Sequence, residues 1–157
     1  MKWLTAAICL VLAADLATAR ADDRMAIAVE GAYLLIQDSG SQRVLSFTRG
    51  GIVSELASGQ QLRGYTSGLG AWEQTGPNQI VARVIDFNFD RDSGARTGTS
   101  LNVYTLTFEG LDQGRFERFS GSFSGQQFAL GQNPLKPTEP SVRSFGTTFT
   151  GQRISGK

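Results

Sequence analysis

The sequence predicts an all-β domain, a single antiparallel up-and-down β-barrel of about eight short strands, with a β-sandwich as the alternative. Three observations predict it. Nineteen glycines divide a 157-residue chain into short segments, and several segments alternate apolar and polar residues with the period of two expected of half-buried strands. After residue 21 no convincing long helix interrupts them. A closed meander is preferred to a sandwich because closure leaves no unpaired strand edge.

The chain opens with Met1-Lys2-Trp3, an apolar run from Leu4 to Ala14, and small residues ending Ala19-Arg20-Ala21. These are the charged, apolar and small-residue regions of a secretory signal peptide. Cleavage near Ala21 would leave Asp22 to Lys157 as one domain of a secreted or periplasmic protein. The first strand is expected over Ala28 to Ile36, closed by Asp38-Ser39-Gly40-Ser41. Arg43 to Arg49 is the second, and Gly50-Gly51 is the two-residue link of a tight hairpin. Ile52 to Ala57 follows as the third strand, although its Glu55-Leu56-Ala57 would also tolerate a helical turn.

A glycine-rich passage from Ser58 to Gly70 leads to a short strand around Trp72, which ends at Gly76-Pro77-Asn78. Gln79 to Asp90 has Val81, Ile85, Phe87 and Phe89 on one parity, with Asp86, Asn88 and Asp90 on the other. Asp90-Arg91-Asp92-Ser93-Gly94 turns the chain, Thr97 to Phe108 returns, and Asp112-Gln113-Gly114 turns it again. Arg115 to Gly125 alternates Phe119, Gly121, Phe123 and Gly125 against serines. The loop Gln132 to Ser141 carries Pro134, Pro137 and Pro140, which cannot sit in a central strand. Val142 to Ile154 is the last strand, and its Phe145 to Gly151 echoes Phe119 to Gly125, so both strands should present the same inward face.

Composition removes several chemistries. The mature chain would hold 13 basic and 13 acidic side chains, no His and no Cys, since Cys9 leaves with the signal peptide. Disulfides, Ser-His-Asp or Cys-His catalysis and thiolate or imidazole metal sites are therefore excluded, and no cofactor is expected. Neutrality and scattered arginines argue against nucleic acid. No later apolar stretch reaches the ~20 residues of a membrane-spanning helix. Cys9 lies inside the apolar run, which does not fit a lipoprotein signal.

Gly31-Ala32-Tyr33, Gly70-Ala71-Trp72 and Arg153 resemble features of the calycin-type barrels, the lipocalins and their relatives, in which a G-x-W motif packs against a basic residue of the last strand. The run Phe47 to Gly51, Gly68 to Glu73 and the Phe-rich strand ending at Asp90 also resemble a group of uncharacterised bacterial small barrels. The resemblance implies that Arg153 pairs with Tyr33 or Trp72 at the closed end. It departs from lipocalins in the aromatic at Tyr33, the mid-chain position of Trp72 and the absence of T-D-Y.

Among candidate site residues, Arg83 shares its parity with Val81, Ile85 and Phe87, which would aim a guanidinium into the barrel. Glu117 is its counterpart beside Phe119 and Phe123. A buried charge needs a partner or ligand, and Arg suits a carboxylate; a rim position or bulge is the alternative placement. Tyr33, Trp72, Tyr104 and Phe87 are the other expected wall residues. Asn88, Asp90 and Asp92 have the opening spacing of a calcium loop, but Ser93 and Thr99 break the motif, which leaves an Asx turn and no metal.

The expected function is binding of a small, mostly apolar molecule, which can carry a carboxylate, without chemistry. One alternative is a small-barrel cyclase or isomerase, like the allene oxide cyclase and dirigent-type barrels, with Glu117 or Tyr104 moving protons. The other is a protein-interaction module using the Ser58 to Gly70 and Pro-rich loops.

Overall fold

The computed structural model describes residues 23–156, so the expected signal peptide and Cys9 lie outside the described residues. Eight strands form one closed barrel: β1 (Gly31–Gln37), β2 (Gln42–Phe47), β3 (Ile52–Ala57), β4 (Gly68–Gly76), β5 (Gln79–Phe89), β6 (Arg96–Asp112), β7 (Arg115–Ala129) and β8 (Arg143–Arg153). Each pairs antiparallel with the next, and β1 pairs with β8 from Tyr33↔Arg153 to Gln37↔Phe149. The architecture is the up-and-down barrel rather than the sandwich. Among the described residues no helix is long and apolar enough to cross a membrane.

Two helical segments modify the expected elements. Residues 23–29 form α1, so 28–30 precede the first strand instead of opening it. Met25, Ala28 and Val29 fall on one helical face and are buried across one end of the barrel. α2 (Gln60–Arg63) lies inside the glycine-rich passage and ends at Gly64, whose φ of 72° is left-handed and whose N–H returns to the Gln60 carbonyl. Ile52–Ala57 is a strand, with Glu55 paired to Leu45 and Gly68.

The lower half of the interior, closed off by α1, is filled. Tyr33, Phe47, Phe108 and Phe119 meet mainly edge-on, with ring centroids 5.4–6.2 Å apart. From Phe119 an aromatic column continues upward through Phe149, Tyr104, Phe123 and Phe145. The two echoing heptapeptides explain how eight strands leave room for it. Antiparallel pairing sets Phe119 opposite Gly151, Gly121 opposite Phe149 and Gly125 opposite Phe145. A Cβ at Gly151 would overlap the Phe119 ring, and one at Gly125 would overlap the Phe145 ring. Phe119 and Phe145 therefore occupy the space that their facing glycines leave open, whereas a Cβ at Gly121 would first meet the Thr105 carbonyl oxygen.

β5 reverses the expected parity. Ile80, Ala82, Val84, Asp86 and Asn88 face inward, while Val81, Arg83, Ile85, Phe87 and Phe89 face out. The reason is volume. Tyr33, Phe47, Phe108 and Phe119 already fill the lower interior, and β5 passes so close to β4 that a Cβ at Gly70 would collide with the Arg83 carbonyl oxygen. Only the smaller face of β5 fits inside. Arg83 consequently pairs with Glu73 on the outer wall at 3.0 Å, with side chains 53% and 64% exposed, and Phe87 is 50% exposed beneath the Arg96 guanidinium. Neither Arg83 nor Phe87 reaches the interior.

The turn after β5 is the expected Asx turn. Asp90 Oδ1 accepts from the backbone of Asp92 and Ser93 and from the Ser93 hydroxyl, which holds its carboxyl below the usual range.

Candidate functional site

The end of the barrel opposite α1 is hollow. There the inward parities of β5 and β6 change from apolar to polar: Ala82 and Val84 give way to Asp86 and Asn88, and Tyr104 gives way to Asn102 and Ser100. Similarly, β1 ends on Gln37 and β2 begins with Arg43 as its first inward residue. These side chains line a cavity of about 320 Å³ whose apolar wall is Phe123 and Phe145. Arg63, Tyr65 and Arg143 complete its mouth. The chain after α2 is fastened there by a bridge between Tyr65 and Asn88 and by the Thr66 hydroxyl, which accepts the Phe87 N–H.

Two hydrogen-bonded groups make the floor. In the first, Arg43 Nη1 donates to Glu55 Oε1 and lies 3.0 Å from Tyr104 Oη, while the Tyr104 hydroxyl donates to Glu55 Oε2 at 2.7 Å. The Arg43 guanidinium also lies 4.6 Å from the Phe123 ring centroid, so a buried ion pair is braced by a phenol and an aromatic face. Burial, reinforced by the Glu55 charge, pushes the Tyr104 phenol well above its usual range. In the second group Asp86 accepts amide hydrogens from Asn102 at 2.7 Å and Asn88 at 3.2 Å, and Ser100 donates to Asn88 Oδ1 at 3.0 Å. Burial raises the Asp86 carboxyl from 3.8 to about 6; the Asn102 hydrogen bond opposes the rise and the Glu55 charge adds to it.

Three buried polar atoms on this floor have no hydrogen-bond partner among the described residues: Gln37 Nε2, Arg43 Nε and Asn102 Oδ1. All three residues line the cavity. Gln74 Oε1, toward the closed end, is likewise unpaired, so the polar character of the cavity rests on its lining side chains as a set.

The residues expected from sequence are distributed differently. Tyr33 and Arg153 meet at the closed end: the guanidinium lies 4.7 Å from the Tyr33 ring centroid and donates to the Tyr33 hydroxyl. It also donates to the carbonyls of Phe116, Glu30 and Ala28 at 2.7–2.9 Å. Arg153 thereby ties the C-terminal end of α1 to the barrel, satisfying carbonyls that a helix end leaves unpaired. Burial, opposed by Arg153, pushes the Tyr33 phenol up to about 12. Trp72 does not join this pair; its indole donates to the Thr48 carbonyl at 3.1 Å and its ring meets Phe47. Glu117 lies at the closed-end rim, 3.7 Å from Arg153 Nε and 42% exposed, so it faces no cavity. Tyr104 alone approaches the site, as support beneath its floor.

Arg43, Glu55, Asp86 and Asn102 are the functional candidates that sequence reasoning missed. Parity held the signal: Arg43 alternates with Leu45 and Phe47, and Glu55 with Val53 and Ala57. Among the described residues no cluster of three or more Asp, Glu, His or Cys side chains could hold a metal ion. No protein-family model, curated protein or solved structure matches the chain.

Proposed function

We propose that this is a secreted or periplasmic carrier barrel that holds a small, polar, anionic molecule in its open-end cavity without transforming it. The observation that carries this reading is a cavity of about 320 Å³ lined by the polar side chains of Gln37, Arg43, Asp86, Asn88, Ser100 and Asn102. Arg63 and Arg143 at the mouth favour an anion, and the polar lining favours a ligand more polar than the sequence alone suggested. The test is native mass spectrometry of protein purified from its own compartment without denaturation. A carrier should show a retained small-molecule mass that disappears in Thr147→Trp, where an indole fills the cavity from β8. Bare protein in both forms would refute the proposal.

One observation favours a second reading, a small-barrel isomerase or cyclase. Asp86 is a carboxyl in a cavity with its proton affinity tuned to about pH 6, as a general acid or base requires. Under that reading Asp86 takes the role that Glu117, at the far rim, and Tyr104, sealed beneath the floor, cannot take. Conversion of the retained molecule by wild type and not by Asp86→Asn would decide for the enzyme.

A further inference from the structure

We infer that the ligand is a polyhydroxylated carboxylate, a sugar acid of about one ring, with its carboxylate at Arg63 and Arg143 and its hydroxyls on the floor formed by Gln37, Arg43, Asp86 and Asn102. This rests on the cavity being a ligand site and adds the chemical class.

The floor makes a mixed demand. The amides of Gln37, Asn88 and Asn102 and the Ser100 hydroxyl each carry donors and acceptors, Arg43 carries donors, and the Asp86 carboxylate carries acceptors. A ligand must therefore offer both acceptors and donors. Hydroxyl groups provide both functions, and a ring carrying several can meet several of these side chains at once. An alkyl or aryl acid would cover them without giving them partners.

Shape and charge narrow the class further. A volume of about 320 Å³ has room for one substituted sugar ring. Phe145 and Phe123 give that ring an apolar face to lie against, while most of the remaining lining is polar. At the mouth two guanidiniums come from independent elements, α2 and β8. Among the described residues Asp86 is the one acidic side chain of the lining, and it lies deep, so the mouth attracts an anion and the floor accepts neutral hydroxyls.

Isothermal titration calorimetry of the whole protein with glucuronate, glucose and octanoate separates the elements of the inference. Glucuronate should bind at least about tenfold more tightly than either of the others, since each lacks one half of the match. Arg143→Gln, a change at an exposed position, should erase the advantage of glucuronate over glucose. Asn102→Leu should weaken glucuronate by about tenfold and leave octanoate no weaker; circular dichroism confirms that each variant folds. Octanoate equal to or tighter than glucuronate would overturn the sugar-acid assignment while leaving the cavity a ligand site, as would a retained native mass with no response to any of the three compounds. Glucose equal to glucuronate would overturn the carboxylate subsite.

Discussion

Replacing Asp86 by Asn should stabilise the protein above about pH 6 and change little near pH 4, the pattern expected of a carboxyl whose proton affinity is raised by burial. Asp86 is 4% exposed, and burial raises its carboxyl to about 6 against 3.8 for the free side chain. Between those values the folded chain keeps a proton that the unfolded chain has lost, so stability falls as pH rises through the window, and the full penalty applies above it. At about 1.4 kcal/mol per tenfold change in proton affinity, the gap corresponds to roughly 3 kcal/mol. The amide in Asp86→Asn would remove that penalty but offers one acceptor oxygen where the carboxylate serves both Asn88 and Asn102, a loss of about 1 kcal/mol. The expected net gain is about 2 kcal/mol near pH 8, or roughly 5–10 °C in Tm for a domain of this size. Thermal unfolding of ligand-free wild type and variant, followed by circular dichroism at both pH values, checks it. Equal destabilisation at both, or a gain confined to the acidic side, would show that burial does not set the Asp86 titration. A gain on removing a charge would also mean that the carboxylate is kept for what it does in the cavity, since stability would be better without it.

Arg153→Ala should lower stability by about 3–5 kcal/mol, because one buried guanidinium serves three carbonyls and a phenol; hydrogen exchange should quicken first at residues 25–30, and uniform quickening would contradict the clasp. Arg43→Ala should cost about 3–5 kcal/mol by stranding Glu55, and adding Glu55→Gln should recover part of the loss; strict additivity in urea unfolding would deny the coupling. Arg83→Glu should change stability by less than about 1 kcal/mol and leave ligand retention intact; loss of the retained mass would return Arg83 to the site.

The barrel was legible because its punctuation is local. Gly50-Gly51, Asp90 to Gly94 and Asp112 to Gly114 turn the chain whatever surrounds them, and the Phe and Gly alternation of β7 and β8 reflects a cross-strand fit. The site was less legible because parity fixes which residues share a face but not which face is inside. β5 carries its phenylalanines outward, and only the crowding from Tyr33, Phe47, Phe108 and Phe119 and the close approach at Gly70 explain that choice. The expectation for Arg83 and Phe87 failed on this point. Arg43 and Glu55 went unnoticed for the complementary reason: each looks like a surface charge until the registers of β2 with β3 and of β5 with β6 bring both against the Tyr104 hydroxyl. The α1 segment shows a third kind of ambiguity, since Ala28 and Val29 satisfy a strand pattern and a helical one over so short a span.

Everything proposed for this protein depends on the hollow end of the barrel being a preformed polar ligand site. That dependence is tested by extracting small molecules from the natively purified protein, adding them to ligand-free protein, and following side-chain amide resonances by NMR. The resonances of Gln37, Asn88 and Asn102, which line the cavity, should move, while those of Gln74 and Asn78, hydrogen-bonded to the Gly76 and Phe108 carbonyls toward the closed end, should stay in place. Five unmoved resonances, or shifts confined to Gln74 and Asn78, would contradict a ligand site at the hollow end.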